Sequence, residues 1–255
     1  MVTTETADLS LIPAVILCGG RGIRFQEETE IRPKPMIEVA GAPILVHIMN
    51  HYADFGFTRF VLALGYKADV IKAYFDEKRH GKKNWEVQCV DTGLDTLKGG
   101  RIKRVARFLD SDRFHLTYGD GVASVDLAAL DRFHHQQGTL ATLTAVRPPS
   151  RFGEVLIRES LVTSFSEKPQ LGSGRINGGF FVLNRAFLDF LTDAEDCDLE
   201  FGTLPKLVDQ KQLSAFRHDG FWQCMDSARD RDYLEKLCHG GARPWTITPR
   251  KAERD

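Results

Sequence analysis

Five consecutive apolar residues, Ala14–Val15–Ile16–Leu17–Cys18, run directly into Gly19–Gly20–Arg21–Gly22. A short run without polar alternation, stopped by glycines, suits a strand buried on both faces. Arg59–Leu64, Trp85–Val90 and Phe114–Thr117 read as further strands, the last ending in Tyr118–Gly119–Asp120–Gly121. Between them, Pro43–Phe55 places Ile44, Leu45, Ile48, Met49 and Tyr52 at helical spacing, with proline in the first turn. Lys67–Phe75 reads as a second helix, and Gly100–Phe108 as the start of a third. Strand, loop, helix and strand in this order predict an α/β fold with a parallel sheet and right-handed crossovers. Ligands of such sheets sit beyond the carboxyl ends of the strands. The loops at Gly19–Arg24 and Gly119–Gly121 both follow strands at that end.

The second half changes texture. Leu140–Val146, Val155–Ile157, Leu161–Glu167 and Gly179–Leu183 read as strands, which predicts a mixed or antiparallel extension of the same sheet carrying a substrate pocket. Helix candidates are Arg185–Leu191, Leu204–Gln210 and a last helix beginning in Asp230–Leu237. No repeat or linker interrupts the chain. The expected organisation is a flexible tail over 1–12, one domain over 13–245 with halves at about 13–122 and 123–245, and a charged, mobile tail over 246–255.

The 255 residues, 42% of them apolar, can bury a full core without disulfide or metal staples. With 34 Lys+Arg against 35 Asp+Glu, the balance argues against a protein that coats polyanions. Short basic clusters such as Lys82–Lys83 lack interleaved aromatics, so no nucleic-acid partner is expected. No apolar run approaches the ~20 residues of a membrane span, and the polar opening is unlike a secretion signal. Five cysteines without a CxxC pair disfavour a disulfide framework or structural zinc. A reduced, cytoplasmic protein is the expectation.

Gly19, Gly20 and Gly22 let backbone N–H groups approach an oxyanion without an intervening Cβ, and Arg24 adds a planar donor fork. Taken alone, this is equally an ordinary turn with a surface arginine. Arg32–Pro33–Lys34–Pro35–Met36 adds a lysine whose backbone is fixed by proline on both sides. A rigid ammonium a short loop after a glycine cradle suits a triphosphate. The P-loop pattern is absent, and the third glycine of a dinucleotide fingerprint is missing, which disfavours a nicotinamide dehydrogenase. Asp120 and Asp226 could each be turn aspartates or could share a Mg²⁺ ion, which takes one or two protein carboxylates. His47 and His51 are spaced as in a zinc helix, but Ile48 stands where a metalloprotease needs glutamate, so both read as partly buried. Cys18 reads as a small core hydrophobe.

Gly19–Gly20–Arg21–Gly22–Ile23–Arg24 followed by Lys34–Pro35–Met36 resembles the signature of the sugar-1-phosphate nucleotidylyltransferases. More narrowly, Val90–Asp91–Thr92–Gly93, Thr117–Tyr118–Gly119–Asp120–Gly121–Val122, Glu167–Lys168–Pro169, Ile176–Asn177–Gly178–Gly179–Phe180 and Phe221–Trp222–Gln223–Cys224–Met225–Asp226 resemble the bacterial glucose-1-phosphate cytidylyltransferases, in order from about Ala14 to Trp245. The resemblance implies a Rossmann-like nucleotidyltransferase fold, with a central mixed, mostly parallel sheet flanked by helices and a small sugar-side β extension. The first half would hold the nucleotide and the second the sugar phosphate. The implied reaction is attack of a sugar 1-phosphate, foremost glucose 1-phosphate, on the α-phosphorus of CTP, giving CDP-glucose and pyrophosphate.

The same resemblance assigns catalytic roles to Arg24, Lys34, Asp120 and Asp226, with Mg²⁺ on the two aspartates. It places Gly19, Gly20, Gly22, Arg24, Lys34, Thr96, Gly99, Gly100, Arg101, Gly119 and Asp120 at the nucleotide, with Gly99 and Gly100 admitting the base. Gly153, Glu167, Lys168, Asn177 and Gly178 would line the sugar side, and a homo-oligomer is implied. Ile23, Lys98 and Cys224 depart from the usual residues, and Lys98 would add charge near the base. Those departures keep open another base or sugar (GTP or dTTP, a heptose or octose phosphate) and a non-catalytic nucleotide sensor. Retention of Lys34, Asp120 and Asp226 counts against the sensor.

Overall fold

The protein is described by a computed structural model for residues 8–25, 28–76, 84–148, 154–166, 174–239, 241 and 243–247. β1 (Ala14–Cys18) lies at the centre of an eight-stranded sheet. A two-residue ladder, β2 (Glu38–Val39) and β3 (Ala42–Pro43), precedes α1 (Ile44–Asp54). β4 (Arg59–Leu64), α2 (Ala68–Asp76), β5 (Glu86–Asp91), α3 (Lys98–Arg104) and β6 (Arg113–Tyr118) complete the first half. β1 pairs in parallel with both β4 and β6, and β4 with β5, as the strand–helix–strand spacing requires.

The central strands divide their side chains between two cores. Ala14, Ile16 and Cys18 join Phe60, Leu62 and Leu64 on one face, against α1 and α2. Val15 and Leu17 join Val61 and Ala63 on the other, against Ile102 of α3 and Leu204 and Leu207 of α5 (Leu204–Asp209). This two-sided burial is why these strands show no polar alternation. His47 and His51 of α1 are buried, and Cys18 packs as a small hydrophobe.

The second half supplies β7 (Gly121–Ala123), α4 (Leu127–Gln137), β8 (Ala141–Val146), the hairpin β9 (Glu154–Arg158) and β10 (Leu161–Ser166), β11 (Ile176–Asn177), β12 (Phe181–Asn184), β13 (Leu213–His218), β14 (Trp222–Cys224) and α6 (Ala228–His239). β13 pairs with β8 along its full length, so β11 and β12 share the opposite edge of β8. They are one strand interrupted at Gly178–Phe180, and β12 also pairs antiparallel with β6. The sheet is therefore mixed, as expected.

Three expectations change. The hairpin β9–β10 is a separate two-stranded sheet, with Val155, Ile157, Val162 and Phe165 exposed, and does not extend the main one. Arg185–Phe190 forms a 3₁₀ helix, as do Ala106–Phe108 after α3. Residues 8–12 are docked: Thr58 and Arg59 donate to the Ser10 and Leu11 carbonyls at 3.2 and 2.9 Å, and Ile12 is buried. Near the other end Trp245 is buried, edge-on to the His47 ring.

His51 gives the fold a pH dependence. Its Nε2 donates to the Val125 carbonyl at 2.9 Å, while Nδ1 is buried without a partner. Burial pushes this imidazole down from 6.5 to about 4. Between those values the unfolded chain holds a proton that the folded chain does not, so stability falls as pH falls. The limit from this one group is about 3 kcal/mol. Thermal melts are expected to drop steadily from pH 7 to pH 4.5. His51→Gln, which keeps a donor for Val125 and cannot titrate, should flatten part of that slope, and an unchanged slope would contradict the assignment.

Candidate active site

The carboxyl ends of β1 and β6 are adjacent because the two strands pair in parallel. Their loops pack closely there: Gly119 N–H donates to the Leu17 carbonyl at 3.1 Å, and a Cβ at Gly119 would stand 2.8 Å from that oxygen. Asp120 follows at once. β14 pairs with β7, and Met225 N–H donates to the Asp120 carbonyl at 2.8 Å, which carries Asp226 alongside. Asp230 in the first turn of α6 accepts from the Asp226 N–H at 3.0 Å and from the Ser227 hydroxyl at 2.8 Å. Glu28 pairs with Arg231 of α6, tying the segment before Lys34 to the same helix.

Lys34 opens the 3₁₀ turn Lys34–Met36, entered through Pro33 at φ −68°. Its Nζ donates to Asp120 and to Asp226, each at 2.7 Å. Burial works against the ammonium, but Asp120, with Asp226 beside it, outweighs this and holds the lysine above its ordinary pKa. Gly22 passes beside the lysine stem at φ +62°, where a Cβ would meet Lys34 Cβ and Thr29 Cγ2 at 3.0 Å. A Cβ at Gly20 would meet nothing within 4 Å, so the turn faces open space.

Asp120, Cys224 and Asp226 hold potential ligand atoms within 4.8 Å of one another. Two carboxylates are hard oxygen donors that fit Mg²⁺. Burial pushes the Cys224 thiol far up, so it stays protonated, and a neutral thiol is a poor partner for a hard cation. The residues that fit a divalent ion are the two aspartates.

On the expected nucleotide side, the structure gives several residues a scaffold role. Arg101 is buried, and its guanidinium donates to the carbonyls of Leu64, Gly93, Gly19 and Leu94 and to the Thr92 hydroxyl, at 2.7–3.1 Å. It lies so close that a Cβ at Gly19 would fall 2.1 Å from its Nη1. Thr96 is buried and accepts from Arg104 at 2.7 Å. Gly99 and Gly100 press on residues 194–197: a Cβ would stand 2.8 Å from the Cys197 carbonyl or 2.4 Å from that of Ala194. Packing of α3 against this segment accounts for both glycines without an incoming base.

On the expected sugar side, Asn177 and Gly178 stand at the break between β11 and β12. Asn177 Nδ2 donates to the Tyr118 hydroxyl at 3.0 Å, and Trp222 Nε1 donates to the Gly178 carbonyl at 2.8 Å. Tyr118 in turn donates to Glu200 at 2.9 Å, and Lys98 pairs with the same carboxylate. Lys98 thus has its own counter-ion. Burial and Glu200 push the Tyr118 phenol far up, so it stays a donor. Sequence reasoning missed Arg104, Tyr118, Trp222 and Glu200 as individual participants. The Arg24 side chain, Gly153, Glu167 and Lys168 lie outside the described residues.

An open glycine turn, a lysine and two carboxylates thus meet beyond the carboxyl ends of β1 and β6. The family profile described as Nucleotidyl transferase matches residues 13–230, and the chain belongs to that family. Enzymes of this class act on a nucleotide and a sugar phosphate with a divalent metal ion. The glucose-1-phosphate cytidylyltransferase of Salmonella typhimurium is 46% identical over 252 residues, spanning 91% of this chain and 98% of the relative. The mannose-1-phosphate guanyltransferase of Schizosaccharomyces pombe is 32% identical over 233 residues, spanning 88% of this chain and 63% of that one. Among solved structures, HddC from Yersinia pseudotuberculosis superposes with a TM-score of 0.66 at 25% identity, covering 91% of this chain and all 100% of that one. Among the described residues no helix is long and apolar enough to cross a membrane.

Proposed function

We propose that this chain transfers a cytidylyl group from CTP to glucose 1-phosphate, giving CDP-glucose and pyrophosphate, with Mg²⁺ held by Asp120 and Asp226. The observation that carries the reaction type is the Lys34 ammonium bridging both carboxylates beside the open Gly20 turn. The choice of base and sugar rests on the 46% identity to a cytidylyltransferase over nearly the whole of both chains.

The chemistry asks for positioning and charge neutralisation, with no covalent nucleophile. The phosphate monoester of the acceptor is largely ionised at neutral pH and attacks the α-phosphorus directly. A new P–O bond forms, the α–β bridging bond breaks, and the electron pair leaves with pyrophosphate. The backbone of Gly19–Gly22, with Arg24, would cradle the leaving phosphates. Lys34 would serve the α-phosphate and the incoming monoester. A divalent ion held by Asp120 and Asp226 would supply positive charge that offsets the phosphate charge. Asn177 and Gly178 would face the sugar, together with Gly153, Glu167 and Lys168. Arg101, Thr96, Gly99 and Gly100 would hold the walls of the nucleotide pocket. A homo-oligomer in the cytoplasm belongs to the same reading.

The guanyltransferase relative keeps a second base in view, since the shared fold does not select one. Pyrophosphate release with Mg²⁺ and glucose 1-phosphate, run against CTP, dTTP, UTP, GTP and ATP with products weighed by mass spectrometry, tests the assignment. CDP-glucose from CTP alone is expected. Turnover with GTP alone would replace the base and leave the mechanism standing. Silence with every nucleotide and with a wider panel of sugar phosphates would favour a non-catalytic binder.

A further inference from the structure

A single hydrogen-bonded line crosses the site from the nucleotide wall to the sugar side. Lys98, at the start of α3, pairs with Glu200, and its ammonium lies 4.9 Å from the Tyr118 ring centroid. Glu200 accepts from the Tyr118 hydroxyl at 2.9 Å, and Tyr118 accepts from Asn177 Nδ2 at 3.0 Å. Asn177 Oδ1 then accepts from the Gly179 N–H at 3.0 Å. The registers of β11 and β12 against β8 differ by two residues, so the strand bulges at Gly178–Phe180, where Asn177 meets Tyr118 at the end of β6.

The direction of this line is fixed at one end. A carboxylate only accepts, so the Tyr118 hydrogen points at Glu200 and its oxygen must receive from Asn177. That in turn fixes which end of the Asn177 carboxamide faces Tyr118. With one amide hydrogen given to Tyr118 and one oxygen lone pair taken by the Gly179 N–H, the carboxamide keeps one further donor and one further acceptor in an orientation those two bonds set. A donor and an acceptor so arranged match a pyranose hydroxyl, which both accepts and donates.

We propose that Glu200 and Tyr118 are positioning residues for the acceptor sugar, acting through Asn177 to hold its carboxamide toward one ring hydroxyl. This rests on the reading of Asn177 as a sugar-side residue. Neither residue need touch the substrate. Glu200 sits on the one-turn π-helix Leu199–Thr203, whose Asp198 side chain caps the Phe201 N–H at 2.7 Å and so fixes where the carboxylate stands.

The test is steady-state kinetics of Tyr118→Phe, Glu200→Ala and Glu200→Gln, with melting temperatures measured in parallel. Tyr118→Phe keeps the ring, which packs edge-on to Phe181, and removes only the hydroxyl. Both Tyr118→Phe and Glu200→Ala are expected to raise the KM for glucose 1-phosphate about tenfold. The nucleotide KM should stay within about twofold, and the melting temperature should barely move. Glu200→Gln, which keeps an oxygen for the Tyr118 hydroxyl, should recover most of the loss. Deoxyglucose 1-phosphates lacking one ring hydroxyl at a time sharpen the result: one analogue should be penalised by the wild type and no longer by Tyr118→Phe. An active wild type whose variants keep the acceptor KM, or whose nucleotide KM and melting temperature move as much, overturns the positioning role alone. A wild type that turns over no sugar 1-phosphate overturns the proposed reaction and this role with it.

Discussion

Replacing Lys34 with alanine is expected to lower kcat/KM by at least ~10²-fold, and Asp226→Ala by a similar factor. The ammonium lies 2.7 Å from each carboxylate, where charge on two phosphate groups would also have to be neutralised. Electrostatic contacts that act on transferring phosphates are worth a few kcal/mol each, and the lysine has no substitute among the described side chains around Asp120 and Asp226. Its removal also leaves two carboxylates facing each other without their counter-charge. Lys34→Arg is expected to recover little, because Pro33 and Pro35 fix the backbone and a planar fork cannot occupy the point an ammonium does. The measurement is initial-rate kinetics at saturating Mg²⁺, with circular dichroism to establish that the variants are folded. Near-wild-type rates in either alanine variant would remove the replaced residue from the catalytic machinery.

The parts of this molecule that were legible beforehand are those where one local signal had one physical cause. Ala14–Cys18 and Arg59–Leu64 are apolar on both faces because each face meets its own core. Lys34 stood out because two prolines leave its backbone no freedom. α4 was overlooked because its sequence ends in His134–His135–Gln136–Gln137, which dilutes the apolar stripe. Its caps were nonetheless in plain view: Asp126 accepts from the Ala129 N–H at 2.8 Å, and Gly138 closes the helix at φ +63°. β13 alternates half-buried and exposed residues at a sheet edge, which is a weak pattern.

The candidate site divides in the same way. Asp120 and Asp226 are brought together by the β7–β14 ladder, and no short-range signal encodes that pairing. Glu200 is equally remote from Tyr118 in sequence. The glycines are ambiguous for a related reason. Gly99 and Gly100 looked like openings for a ligand, but a glycine that admits a substrate and a glycine that admits a neighbouring carbonyl are the same letter. Only the tertiary contact to residues 194–197 separates the two.

Arg101 is the sharpest case, and Arg101→Met is expected to unfold roughly 10 °C below the wild type. Burial disfavours the charge on this guanidinium, with Arg104 adding to the effect, and its acceptors are four neutral carbonyls and a hydroxyl. Those acceptors belong to three separate stretches: the Gly19 turn after β1, the end of β4 at Leu64, and the Thr92–Leu94 segment after β5. One side chain thus holds the loops at the carboxyl ends of three neighbouring strands. Removing it strands several buried acceptors at once, each costing ~1–3 kcal/mol, partly offset because a buried charge also goes. Lysine is expected to restore less than half of the loss, since a single ammonium cannot reach five acceptors spread over a fork. At temperatures where Arg101→Met is still folded, the nucleotide KM should rise together with the loss of stability, because the Gly19 turn loses its support. A raised nucleotide KM at an unchanged melting temperature would instead make Arg101 a direct ligand of the nucleotide. That outcome would require the guanidinium to leave all five partners when the nucleotide binds.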